Sequence, residues 1–590
     1  MNVVTRSYHA SRTGTNTNES ALTPSRVASN VLVKSHSLHF DDDPRLEAQP
    51  LYASQLTMKG GAKHDVAFVC TMANNVWAFD VASGAVLWKT NLGPPITPKI
   101  TPHPGFPKAS EIDLWGVNIK WGILSTPCLD LADKKLYVVA WTSADGSVAN
   151  AHYDLHQLNI TDGSKLKALR IQATAPEQAD PGEAPAAFIP SKQKQRSSLL
   201  LTSPTLNGSV RKTIFIPFGM THEEHDPSHG WLIAVDIKDF RISAAWCTSP
   251  HQTGVGIWQG GQGPAADEHN AIYLMTGNYG KMVPPKKGDF PESIVKLEYS
   301  MKPDGKAILA PVAWFTPFED FRRNPVGDDD FQDYDLGSAG PVPLPGMNLV
   351  VGAGKDGVLF VLDTDTAKFG QGADYSRLKQ QPIFFTYFPG FGIDASHVAN
   401  LDHLFDRKTH HQHASPAFWN SPARGPMLFC WGENECLRAW TVDASGTVTF
   451  VAKSAEVASA GMGGKGGMPG GLLAITSNGT AADTGIVWAT APVSNDANKF
   501  VVEGILRAHD ATNLDPHPNT DGTPRLKLLW DSKHIPGNTF NFSKFCPPVV
   551  VDGRVLVPTY DGRVDVYVLV SPPAGLLPTN ANLAPGDDED

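Results

Sequence analysis

The feature that most constrains this chain is a segment that recurs along it. In HDVAFVCTMANNVWAFDVASGAVLWKTNLG, residues 64–93, an alternating apolar run meets the polar pair Asn74-Asn75. A second run, VWAFD, follows, then a turn closing on Gly84 and a third run ending at Leu87-Trp88. Period-two alternation cut by short turns predicts strands joined as hairpins. The outline returns at KKLYVVAW, KTIFIPFGM, NAIYLMTGN, NLVVGAGKDG, PMLFCWGEN, TGIVWATAP and GRVLVPTYDG, eight units in all. Each unit takes up ~74 residues, long loops included, and reads as a sheet of about four strands.

Sheets of this kind, repeated radially, make a propeller, which closes when one terminus completes the last sheet. The last unit stops before its outer strand, and the strand-like NVLVKSHSLHF near the N-terminus is left over to supply it. The expectation is an all-β, eight-bladed β-propeller of four-stranded antiparallel blades, closed by N- and C-terminal strands. It would occupy residues 26–571, with an N-terminal arm over 1–25 and an acidic tail over 572–590. A β-sandwich with insertions competes, but the ending Asp80-x-x-x-Gly84-x-x-x-Trp88, echoed in DASGTVTF, favours the propeller.

Composition narrows the function classes. The 53 Gly and 47 Pro suit many tight turns. A net charge of -11 with no basic stripe argues against a nucleic-acid partner. No stretch reaches the roughly 18 apolar residues of a membrane span, so no membrane partner is expected. The polar start MNVVTRSYHASRTGTNTNES lacks the apolar core of a secretory signal. Read literally that means a cytoplasmic protein, or an extracytoplasmic one if the N-terminus is processed. The six cysteines are spread out with no CxxC or Cys/His zinc pattern, which predicts reduced, mostly buried thiols. The expected partner is a small-molecule substrate.

The Trp-ended unit VWAFDVASGAVLWKT resembles the pyrroloquinoline quinone (PQQ) repeat family, and several loops resemble those of its eight-bladed quinoprotein alcohol dehydrogenases. EAQPL resembles the segment whose carboxylate contacts the quinone, which points to Glu47. GVGIWQGGQGPAADEHNAIYLMTGN resembles the segment that supplies a tryptophan floor and an asparagine metal ligand, which points to Trp258 and Asn278. FQDYDLGSAG resembles the segment bearing the catalytic base. The resemblance makes Asp333 that base beside the metal and Asp335 an added ligand, as in the lanthanide-using branch. GAGKDG resembles the segment whose cation touches the quinone oxygens, which points to Lys355. FGMTHEEHDPSHGW offers Glu223 and Glu224 for the remaining metal carboxylate. The resemblance thus implies PQQ with Ca²⁺ or a lanthanide, and oxidation of an alcohol or sugar hydroxyl. The chemistry suits the residue types: a cation polarises the acceptor carbonyl, a carboxylate takes the hydroxyl proton, and a lysine stabilises developing negative charge. Asp328, Asp329 and Asp330 read as solvated.

The chain also departs from that pattern. It has no adjacent Cys-Cys pair, and VNIKWGILSTPCLD lacks the arginine that follows the pair in that family. Along its whole length it is most similar to a less characterised branch of secreted PQQ-repeat proteins, through RTGTNTNESALTPSRV, GIWQGGQGPAAD and KGGMPGGLLAITSNGTAADTGIVW. Two other readings therefore stand beside the first. In one, the funnel serves a non-redox isomerase, cyclase or hydrolase, using the same acids or a Cu or Zn site at His410, His411 and His413 in KTHHQHASPAFWN. In the other, the propeller is an interaction scaffold. WGENE and the flexible MGGKGGMPGG with Lys465 are further candidate funnel loops, a surface turn being the default reading of the latter.

Overall fold

The computed structural model describes residues 1–571, apart from positions 30, 104–105, 110–111, 114, 223–226, 280–285, 318–334, 356, 380–382, 385–410, 460–466, 534 and 536. Its strands form eight radial sheets, an eight-bladed β-propeller. Blade 1 runs Leu51–Thr57, Lys63–Cys70, Asn75–Asp80 and Val86–Asn91, each strand antiparallel to the next. Blades 2 to 7 repeat this order over 128–170, 200–247, 265–315, 342–384, 417–457 and 472–531. Blade 8 takes three strands from 549–570, and its outer strand is Val31–His39, paired antiparallel from Val31 opposite Val570 to His39 opposite Arg563 with one bulge between Lys34 and His36. The leftover N-terminal strand therefore closes the ring as the repeat count requires.

Inner strands such as Cys128–Asp130 and Val549–Val551 are wholly buried, whereas the outer strand Lys165–Arg170 is almost wholly exposed. The outer strands of blades 1, 3, 4 and 7 carry a tryptophan, and in blade 1 that side chain caps the next blade. Trp88 donates its Nε1–H to the Ile160 carbonyl of blade 2 at 3.0 Å. Its ring lies on Gly163, where φ is 72° and an added Cβ would stand 2.6 Å from Cε3. Both the left-handed backbone and the missing side chain are needed there. All six cysteines are free thiols and all but Cys436 are buried, as the spacing predicted.

Residues 1–25 are not a free arm. Val3 pairs with Tyr52 of blade 1, Val4 accepts from Leu129 of blade 2, and Ala10 accepts from Ala266 of blade 4. Thr13 accepts from Phe418 of blade 6, and Thr15–Asn16 pairs in parallel with Ile475–Thr476 of blade 7. The Arg12 guanidinium is fully buried and donates to the carbonyls of Arg6, Leu199 and Pro264 and to the Thr5 hydroxyl. The polarity that reads as a tail in the sequence has a physical use here. Inner strands present unpaired backbone groups toward the propeller axis, and a polar strand satisfies them. The acidic tail, 572–590, lies outside the described residues. Among the described residues no helix is long and apolar enough to cross a membrane.

Candidate functional site

Loops between blades meet around a pocket of about 190 Å³ whose walls include Trp258, Asp335, Lys355, His413, Lys194, Arg196 and Lys544. Trp258 follows the strand-free stretch that leaves blade 3 and opens a short 3-10 turn, Gln259–Gly261. Its indole rests against two glycines: an added Cβ would meet the ring at 2.7 Å from Gly219 and 2.6 Å from Gly256. No other residue type leaves room for the ring at those positions, so Trp258 is held as a fixed aromatic wall. The Lys194 ammonium stands between Trp121 and Trp258, 4.9 and 5.7 Å from their ring centroids.

Asp335 enters the pocket at the start of blade 5, just before the 3-10 turn Leu336–Ser338. Its Oδ2 accepts from Lys355 Nζ at 2.9 Å and its Oδ1 from the Asn278 backbone N–H at 3.2 Å. Lys355 lies in the turn between Leu349–Ala353 and Val358–Asp363, and its own N–H bonds the Asp335 carbonyl at 3.1 Å. Sequence reasoning named Trp258, Asn278, Asp335 and Lys355 from three separate segments, and the fold brings all four together.

Glu47 sits differently from what the resemblance implies. Its side chain is fully buried and makes an ion pair with Arg196, while Asn118 and Tyr560 donate to Oε1 at 2.6 and 2.8 Å. Burial alone would raise its pKa, but Arg196 and Lys544, with these hydrogen bonds, bring it down to about 2. Glu47 therefore stands behind the pocket wall and fixes Arg196, which faces the pocket. Asp333, Glu223, Glu224 and His410 lie outside the described residues, as do Asp328 to Asp330 and Lys465.

Four charged pocket residues escaped the sequence reading: Lys194, Arg196, Lys544 and Asp113. A signal existed for two of them. In KQKQRSS the cations alternate, and alternation on an extended segment puts both on one face. Gln193–Lys194 is such a segment, paired with Met220 and Gly219. Lys544 Nζ donates to Asn498 Oδ1 at 3.0 Å, and Lys194 Nζ lies 3.5 Å from Asp113 Oδ2. Burial pushes the pKa of both lysines down, only partly offset by Asp113 and Glu47. Among the residues lining the pocket, four cations, Lys194, Arg196, Lys355 and Lys544, stand with two carboxylates, Asp113 and Asp335. The pocket is built to receive negative charge.

His411 and His413 reach a single carboxylate. His413 Nε2 is 2.8 Å from Glu433 Oε1, and His411 Nδ1 is 3.8 Å from Glu433 Oε2. The segment WGENE supplies that glutamate.

No protein-family model matches the chain, and no curated protein sequence matches it. Solved structures do. A quinohemoprotein alcohol dehydrogenase from Pseudomonas putida HK5 superposes with a TM-score of 0.54 at 13% identity, over 97% of this chain and 81% of that one. The quinohemoprotein alcohol dehydrogenase of Comamonas testosteroni gives a TM-score of 0.50 at 14% identity, over 100% of this chain and 83% of that one. At such identities the likeness concerns the fold: this chain has a quinoprotein-like eight-bladed propeller.

Proposed function

We propose that the chain is a quinoprotein-type oxidoreductase acting on an alcohol or sugar hydroxyl of a small molecule, with PQQ and Ca²⁺ or a lanthanide as its cofactors. The observation that carries this reading is the glycine-seated Trp258 wall ringed by Lys194, Arg196, Lys355 and Lys544. A flat indole suits a planar polycyclic guest, and four cations suit its carboxylates. Asp335 and the Asn278 amide are the hard oxygen donors that Ca²⁺ or a lanthanide takes. When bound, PQQ polarised by its metal supplies the two-electron acceptor.

The remaining roles belong to this chain. Arg196, anchored by Glu47, and Lys544 bind and orient carboxylates, and Lys194 is the first cation that a guest on Trp258 meets. Lys355 sits where it neutralises charge developing on an oxygen beside Asp335. Asp333, two residues before Asp335, holds the base role implied by the resemblance.

The test is titration of the purified full chain with PQQ, followed by tryptophan fluorescence, with Ca²⁺, La³⁺ or EDTA present. The expected result is saturable, metal-dependent quenching that Trp258→Ala abolishes and Lys355→Met weakens at least tenfold. Quenching that never saturates under any of these conditions retires the reading. A second reading, a metal-dependent non-redox enzyme in the same funnel, is favoured by the meeting of His411, His413 and Glu433. The scaffold reading gives no reason for Trp258, Asp335 and Lys355 to meet.

A further inference from the structure

We propose that His411, His413 and Glu433 form a binding site for a zinc-class divalent cation at the wall of the funnel pocket, chemically separate from the oxygen-donor pair Asp335 and Asn278. One ligand atom from each of the three residues can be chosen so that all lie within 4.8 Å of one another. Ligand atoms on a tetrahedral zinc sit ~3.3 Å apart, given metal–ligand distances of roughly 2.0–2.1 Å. His413 Nε2 lies 2.8 Å from Glu433 Oε1 and His411 Nδ1 3.8 Å from Oε2, each within about 0.6 Å of that spacing, so side-chain rotations can bring one atom from each residue onto a shared ion.

The cluster is buried and its backbone is held. His413 is 3% and Glu433 4% exposed, so both donors are shielded from bulk water. Between the two histidines, the Gln412 N–H donates to the Gly354 carbonyl at 3.0 Å and its carbonyl accepts from Ser338 Oγ at 2.6 Å. Glu433 N–H donates to the His411 carbonyl at 3.0 Å, which ties the glutamate turn to the histidine segment. An added Cβ at Gly260 would collide with the His413 carbonyl, and one at Gly432 with the Gln412 side chain. Such packing fixes the backbone that carries the ligands before a metal arrives, which lowers the ordering cost of binding.

The donor set identifies the class of cation. Two imidazoles and one carboxylate are what zinc takes in catalytic sites, with one position left for water or substrate. Ca²⁺ and lanthanides prefer oxygen alone. Because His413 lines the pocket, the site borders the same space as Trp258 and Lys355. The ligand expected there is water, or an anionic oxygen of a small-molecule guest.

The test uses chelator-treated full-length protein with no quinone present, so its outcome is independent of the PQQ reading. Co²⁺ titration followed by visible d–d absorbance should saturate at one equivalent, and one equivalent of Zn²⁺ should bleach it. His413→Ala and Glu433→Gln should each weaken Zn²⁺ binding by more than about 100-fold in competition with a chromophoric chelator. His411 is the least buried of the three, so His411→Ala should keep the wild-type circular dichroism and melting temperature while losing the Co²⁺ bands. Parallel PQQ quenching that survives in His411→Ala would separate the two sites. The inference is overturned if the wild type takes up no stoichiometric Co²⁺ or Zn²⁺. It is equally overturned if uptake persists in His411→Ala and His413→Ala, which would assign it to others of the 20 histidines.

Discussion

Lys355 Nζ lies 2.9 Å from Asp335 Oδ2, an ion pair that ties the turn between the second and third strands of blade 5 to the chain entering that blade. Both side chains are largely buried, and Asp335 also accepts the Asn278 N–H. Removing one partner leaves the other charge poorly solvated. Lys355→Met should destabilise the fold by about 1–3 kcal/mol in urea unfolding, and the double change with Asp335→Asn should recover at least about 1 kcal/mol of that loss. Strict additivity of the two changes would show that the pair contributes nothing.

Glu47 predicts a pH dependence. Its folded pKa of about 2 lies below its ordinary 4.5, so it binds fewer protons in the native state than in the unfolded one. Its stabilisation is therefore complete above the unfolded value and fades as pH falls through the folded one. Glu47→Gln should cost on the order of 3 kcal/mol at neutral pH. The gap between wild type and variant should stay flat above pH ~5 and shrink between pH ~4.5 and ~2. Denaturant melts across that range provide the check, and a pH-independent gap contradicts the assignment.

Trp88 and Gly163 form the contact between blades 1 and 2. Trp88→Ala should cost about 3–5 kcal/mol and Gly163→Ala about 1–3 kcal/mol. Because the alanine methyl collides with the indole, Gly163→Ala should cost less in the Trp88→Ala background. Equal costs in both backgrounds would show that only the strained backbone at Gly163 matters.

Arg12 tests the buried N-terminal segment. Arg12→Met removes charge-assisted hydrogen bonds to three carbonyls and should cost about 2–4 kcal/mol in equilibrium unfolding. It should also admit protease cleavage within residues 1–25, which the wild type resists. Equal cleavage of both proteins would mean that the segment leaves the propeller readily.

Much of the fold was legible because each repeat carries its own instructions. Alternation marks the strands, Gly84 marks the turn, and Trp88 marks the blade edge, all within the reach of one hairpin. The closing strand Val31–His39 was legible by subtraction, since an open last blade leaves an unpaired edge. What residues 1–25 pack against was not legible, because their polarity is the same whether water or inner-strand backbone receives their hydrogen bonds.

The site divides along the same line. The sequence by itself determined the eight-bladed ring and named Trp258, Asn278, Asp335 and Lys355, because short segments with distinctive neighbours carry them. Only the tertiary structure decided what surrounds those residues. Arg196, Lys194 and Lys544 come from segments with no motif of their own, and Glu47 proved to be the buried anchor of Arg196. Glu433, 20 positions beyond His413, joined the histidines because the hairpin of Ala417–Ser421 and Gly425–Cys430 in blade 6 folds it back onto them. Local patterning specifies strands and turns, whereas charge pairing across the pocket depends on distances that exist only once the ring has closed.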